Sequence, residues 1–245
     1  YGLNASGPAP KSLSVAALKD RGFEKIPSYG VEPIDVPGAV AGWMTLHERF
    51  GKLPLEEVMA LAIRYAEEGY PVTPNISRLW QEAFENYSKY RDRPEFQGWF
   101  DTFAPNNTWL KPGEMFRCPD MAKTLKEIAA TKGESFYRGA IAEKIDAFFK
   151  KHNGFLTKED LAAFKPEWVD PISVNYHGVD VWELPPNGHG ITVLMALQIL
   201  KDMKLGERDC VDTMHKQIEA MKLAMVDTAQ YVAEPSYMKV SVDQL

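Results

Sequence analysis

The sequence is short of most of the features that announce a function. Only two of its 245 residues are cysteine, Cys118 and Cys210. Two thiols cannot build a multi-bridge scaffold, and without clustered ligands nearby they make no metal pair. They read as packed thiols, with a single disulfide between them left open, and they decide no compartment. No apolar run approaches the roughly 20 residues that cross a bilayer, so no membrane span is expected. Long Lys/Arg runs are missing, and the formal net charge is -6. A phosphate-backbone binder needs a basic face, so nucleic acid is not an expected partner. The five histidines, His47, His152, His177, His189 and His215, are scattered without ligand spacing. No Walker-type loop, HExxH, CxxC or G-x-S-x-G pattern occurs. Neither a metal nor a cofactor is expected.

What is present is apolar content for one sizeable core or two small ones, at 45% hydrophobic residues. Helical spacing runs through most of the chain. Leu13 to Arg21 reads as a short helix stopped by Gly22, and Pro37 to Phe50 as a second, ended by Gly51. Pro54 to Glu68 carries an apolar stripe of Leu55, Val58, Met59, Ala62, Tyr65 and Ala66. A fourth helix is expected over Asn75 to Tyr90. Residues 91–118, rich in Pro, Gly, Asn and aromatics, read as a long surface excursion held by its rings. Such length is uncommon in a compact domain. Helices are then expected over Asp120 to Thr131 and Ser135 to Lys151, the latter turning Phe136, Ile141, Ile145, Phe148 and Phe149 to the core. Thr157 with Asp160 is close to a capping box, opening a short helix that carries Leu161 and Phe164.

The period then changes. Ile172, Val174 and Tyr176 alternate, as do Val179 and Val181, with His177-Gly178 between them, which predicts a β-hairpin. A long apolar helix, Ile191 to Met203, follows. A last helix, Asp209 to Tyr231, is expected to turn Val211, Met214, Ile218, Met221, Met225 and Val226 inward. The sum is about eight helices and one hairpin, with no repeat and no composition break that marks two domains. A lone hairpin is marginal, a first sign that the chain is part of something larger.

Two places invite a chemical reading. Pro185-Pro186-Asn187-Gly188-His189-Gly190 ends the hairpin and opens a helix. Its prolines fix the approach and its glycines leave amides uncovered, so its N–H groups suit an anion or a developing oxyanion. The competing reading is a tight β-to-α connection that needs Gly. Asn187, Gly188, His189 and Gly190 are the candidate substrate-binding residues. Asp227, on an apolar helix, is the carboxylate whose burial would demand partners, with a structural hydrogen-bonded role favoured over a catalytic one.

Several segments, taken in order, resemble the large-subunit region of γ-glutamyltranspeptidases. They are Val36-Pro37-Gly38-Ala39-Val40-Ala41-Gly42-Trp43, Phe50 to Leu55 through Ala62 with Ala66 to Val72, and Phe136-Tyr137-Arg138-Gly139 with Ile141-Ala142. Asn153 to Leu161, Pro171 to Gly178 and Pro185 to Gly190 complete the set. The resemblance implies a self-cleaving N-terminal-nucleophile hydrolase. Its new N-terminal Thr attacks a γ-glutamyl amide, glutathione being the usual substrate, with its own α-amine as base. None of this chain's threonines matches that Thr, so no catalytic residue is carried over. Residues 1–245 are therefore expected to be a single segment of the large-subunit region, truncated at both ends and inactive alone. The implied partners are a small-subunit region bearing the Thr and a γ-glutamyl or other amide substrate. The implied fold is mainly α with a β-hairpin, the helical part of an αββα N-terminal-nucleophile hydrolase. Where the family often has an Arg for the substrate α-carboxylate, Asn4 to Pro10 contains none. That departure favours a divergent relative, an acylase or other amidase on the same scaffold. A non-catalytic helical binding module is the third alternative. Apolar surface left bare by absent strands predicts self-association.

Overall fold

The computed structural model describes residues 1–245. In chain order the elements are β1 (Gly2–Asn4), α1 (Val15–Asp20), α2 (Ala39–Phe50), α3 (Leu55–Glu68), β2 (Tyr70–Pro71) and α4 (Pro74–Tyr87). There follow α5 (Gln97–Phe103), β3 (Met115–Phe116), α6 (Pro119–Thr131), α7 (Glu134–Arg138), α8 (Ala140–Lys151) and α9 (Lys158–Ala163). The chain continues with β4 (Glu167–Val169), β5 (Ile172–Tyr176), β6 (Val179–Glu183), α10 (Gly190–Leu200) and α11 (Val211–Tyr231). The chain is mainly α, and β5–β6 is the hairpin the alternation predicted, with Val174 opposite Val181. Two further antiparallel pairs, β1–β4 and β2–β3, were not anticipated. At two or three residues each they are too short for alternation to register. The chain forms two compact units: residues 5–166, and residues 1–4 with 167–245.

In the larger unit, local chemistry sets the helix ends. Glu56 and Glu57 in the first turn of α3 favour its positive end, and Gly69 leaves it at φ 91°, a conformation suited to glycine. Thr73 caps α4, with Pro74 in its first turn. The capping box at α9 is formed as read. Asp160 Oδ2 accepts from Thr157 N at 3.1 Å, and Thr157 Oγ1 accepts from Asp160 N at 3.2 Å.

These helices close over a core that includes Val36, Val40, Leu55, Met59, Ile128, Ile141, Phe149, Leu156, Leu161 and Phe164. Each such side chain contributes roughly 1.5–3 kcal/mol by leaving water. Buried Tyr137 ties α7 to α2. Its hydroxyl donates to Pro37 O at 2.7 Å and accepts from Ala41 N at 3.0 Å. Burial pushes the phenol pKa up, which keeps it the neutral donor this bond needs. Gly38 is required by packing, since a Cβ there would strike the Ala5 carbonyl and the Phe164 ring.

Four expectations change in this unit. The excursion at 91–118 contains a helix, α5, because Phe96, Phe100 and Ala104 bury against Tyr29, Phe84, Tyr87, Tyr90 and Trp99. The helix expected over Ser135 to Lys151 is broken at Gly139, at φ -132° and ψ -148°. There Ser135 Oγ donates to Glu127 and accepts from Ile141 N, replacing a helical bond. Phe148 is exposed while Phe149 is buried. In α3, Val58 and Tyr65 are exposed, because α6 covers only the Leu55–Met59 side.

In the smaller unit, β1–β4 and the hairpin accompany a packed helix pair. Helix α10 is apolar on nearly every side and buries Ile191, Thr192, Leu194, Met195, Ala196 and Leu200. It packs on β5, β6 and α11. The expected inward face of α11 is overturned. Its buried residues are Thr213, Ala220, Ala224 and Thr228, while all six residues predicted inward are exposed. Small side chains let α11 approach α10 closely, and Thr228 Oγ1 meets Thr192 Oγ1 at 2.7 Å. Asp227 is exposed rather than buried, so no desolvated carboxylate arises there.

Candidate functional site

The loop Pro185–Gly190 joins the end of β6 to the first turn of α10. Pro186 is buried and anchors it, while Gly188 and His189 are exposed. The peptide between Pro186 and Asn187 is cis. Nothing stands within 4 Å of where a Gly188 Cβ would be, so the loop presents open backbone at that point. His189 occupies the N-cap position without a side-chain cap bond, and its carbonyl accepts from Thr192 N at 3.0 Å. The amides of Gly190 and Ile191 have no carbonyl one turn ahead of them and carry the positive end of the helix dipole.

Gly190 is held closely by Glu183. A Cβ at Gly190 would collide with the Glu183 carboxylate and its Cβ, so glycine is needed for this close approach. The same observation places a carboxylate at the N-terminus of α10. The Glu183 carboxylate there disfavours a second full negative charge more than the partial charge of a neutral carbonyl oxygen.

The site also has a member that sequence reasoning missed. Asn4 Nδ2 donates to Asn187 Oδ1 at 3.0 Å. The two residues lie 183 positions apart, and the pairing of Gly2–Asn4 with Glu167–Val169 carries Asn4 there. No local pattern could have signalled it. The consequence is chemical. Asn4 belongs to the stretch where a cationic clamp was looked for, and what it offers Asn187 is a neutral amide. Beside this, Tyr1, Pro171, Trp182, Glu183 and Leu184 line an open concavity of about 510 Å³.

Other candidates dissolve. Cys118 and Cys210 are both free thiols, so the disulfide left open does not form. Cys210 instead caps α11, its sulfur accepting from Thr213 N at 3.5 Å. No group of three or more His, Cys, Asp or Glu side chains is placed to hold a metal ion. No helix is long and apolar enough to cross a membrane. Arg138 with Glu134 and Lys150 with Asp146 form i,i+4 ion pairs on their own helices, which serve the fold.

The solved structures that match this chain are N-terminal-nucleophile hydrolases of the acylase and γ-glutamyltranspeptidase kind. A cephalosporin acylase from Bacillus halodurans matches with TM-score 0.97 and 53% identity, covering 99% of this chain and 46% of that one. The γ-glutamyltranspeptidase of Helicobacter pylori matches with TM-score 0.88 and 27% identity, over 98% of this chain and 69% of that one. A Pseudomonas aeruginosa protein named glutathione hydrolase proenzyme is 32% identical over 253 residues, covering all of this chain and 44% of that protein. The gamma-glutamyltranspeptidase family model matches residues 1–245. The chain belongs to the γ-glutamyltranspeptidase family. It spans less than half the length of the Pseudomonas aeruginosa relative.

Proposed function

We propose that residues 1–245 are one segment of the large-subunit region of a self-cleaving proenzyme. The whole protein would hydrolyse, or transfer to an amine, the acyl group of γ-glutamyl amides of the glutathione kind. The observation that carries this reading is the family match over all 245 residues, with six motif segments in family order. The nucleophile is the N-terminal Thr of a small-subunit region, the partner of this segment, and no catalytic residue lies in residues 1–245. The Thr hydroxyl attacks the amide carbonyl while the Thr α-amine takes its proton. The C–N bond breaks, the amine leaves with that proton, and water or an acceptor amine resolves the ester. On this reading Asn187, Gly188, His189 and Gly190 contribute to substrate binding, and the segment alone is inactive. The test is to express the parent protein, establish self-cleavage by mass, and assay release of a γ-glutamyl chromophore. Correctly cleaved protein without amide hydrolysis would overturn the reading.

A second reading on the same scaffold has specific support: an acylase for amides whose acyl group carries no cation-clamped carboxylate. Asn4 to Pro10 contains no Arg, Asn4 gives Asn187 a neutral amide, and Glu183 already sits at the N-terminus of α10. A bidentate Arg–carboxylate clamp is among the strongest charge-assisted contacts, so its absence shifts preference toward neutral acyl groups. Comparing kcat/KM for a γ-glutamyl amide and a neutral acyl amide separates the two readings.

A further inference from the structure

At the end of the hairpin, the smaller unit holds a carboxylate that nothing in the chain answers. Glu183 is half-buried, and no hydrogen bond or ion pair within residues 1–245 reaches its side chain. A carboxylate that has lost part of its water without a compensating bond is unfavourable. The positive end of α10 offsets some of that cost, yet no amide there donates to it. Glu183 also lines the open concavity of about 510 Å³, with Tyr1, Pro171, Trp182 and Leu184. Its carboxylate is the only charged side chain of that lining; the other walls are apolar or aromatic. Trp182 and Leu184 are 60% and 39% exposed, so an indole and a leucine stand bare beside the charge. Small-molecule sites pair apolar walls with a few polar groups in this way. An indole face also attracts a cation.

We propose that this concavity is a substrate subsite for a protonated amine on a compact apolar body, with Glu183 as the specificity residue that binds the ammonium. This rests on the amide-hydrolase reading above and adds the charge of the group that the substrate carries. Three kinds of substrate are told apart. An ammonium gains a charge-assisted hydrogen bond to Glu183 together with the Trp182 face. A neutral group of the same shape gains the apolar walls alone. A carboxylate is repelled by Glu183, and no Arg, Lys or His side chain lines the concavity to offset this. A γ-glutamyl group carries both an ammonium and a carboxylate, so an aminated apolar group without the carboxylate fits better. Specificity is a difference between affinities, and the one unpaired carboxylate supplies both halves of it, attraction for the amine and repulsion for the acid.

The experiment uses the intact parent protein and needs no turnover. NMR titration compares phenethylamine with its neutral counterpart phenethyl alcohol and with the anion phenylacetate, at neutral pH and low ionic strength. The amine is expected to bind at least about tenfold more tightly than the alcohol, and the anion more weakly than the alcohol. Glu183→Gln keeps the shape and removes the charge. It is expected to bring the amine down to the affinity of the alcohol, with the alcohol changed less than about twofold; that retained binding also shows the variant is folded. Trp182→Ala is expected to weaken amine and alcohol together. Equal affinity for amine and alcohol in the unsubstituted protein, no binding of any of the three, or an amine preference that survives Glu183→Gln would each overturn the inference. So would a Trp182→Ala variant that binds all three unchanged, which places the ligands elsewhere. In an active parent the amine is expected to inhibit hydrolysis competitively, and inhibition of any other type removes the concavity from the substrate site. Charge-selective binding in a parent without amide hydrolysis rejects the proposed activity alone, and an active parent without charge selection rejects this inference alone.

Discussion

Helices α8 and α11 are both amphipathic, yet they bury opposite kinds of residue. Helix α8 buries Ile141 and Phe149 together with Asp146. Helix α11 buries Ala220 and Ala224 with two threonines and leaves its large apolar row outside. The difference lies in the available partners. Helix α8 packs on α7 and α9 over a core rich in large side chains, and α11 lies against α10. Where the neighbour is a single apolar helix, close approach through small residues leaves an adjacent large-residue face over.

The comparison can be broken from either side. The largest effect is expected from Phe149→Ala, which empties a filled site and should cost about 3–5 kcal/mol in denaturant unfolding. Ala224→Leu tests the close approach of α10 and α11. Ala224 is fully buried, so overpacking should cost about 1–3 kcal/mol by the same measurement, and a neutral result would mean the helices are not tightly apposed. Asn187→Ala removes the partner of Asn4 at the site that precedes α10. It is expected to lower kcat/KM of the parent roughly tenfold, mostly through KM, as loss of a binding interaction does. Thr228→Val leaves the Thr192 hydroxyl without its 2.7 Å partner and should cost about 1 kcal/mol.

The smallest effect is electrostatic. Hydrogen bonding to Lys150 and to Lys158 N holds the Asp146 carboxyl below its ordinary pKa. A depressed carboxylate pKa stabilises the fold above the ordinary carboxylate range, and the gain is lost as pH falls through the folded value. Asp146→Asn is therefore expected to flatten the acid limb of the Tm-against-pH curve below roughly pH 4. A limb unchanged in slope would remove Asp146 from the account.

Much of the fold was legible in the sequence wherever the signal is local. The Thr157/Asp160 box, the glycine ending α3 and the Val174–Val181 alternation all act within a few residues, and each forms as read. The break at Gly139 was not legible, because it depends on Ser135 finding Glu127 one helix back. At the candidate site, Asn187 to Gly190 stood out as a Pro- and Gly-marked turn, while Asn4 carried no mark of its own. Asp227 misled, because an apolar surrounding in sequence was taken for burial in space.

By itself the sequence determined most of the helical segments, where most of them start and stop, and to which family the chain belongs. Those properties follow from caps, turn residues, periodicity and motif order, all fixed over short stretches. Only the tertiary structure decided which side of α11 is covered and which residue meets Asn187. Periodicity tells that a face is apolar, but its burial depends on whether another part of the polypeptide reaches it.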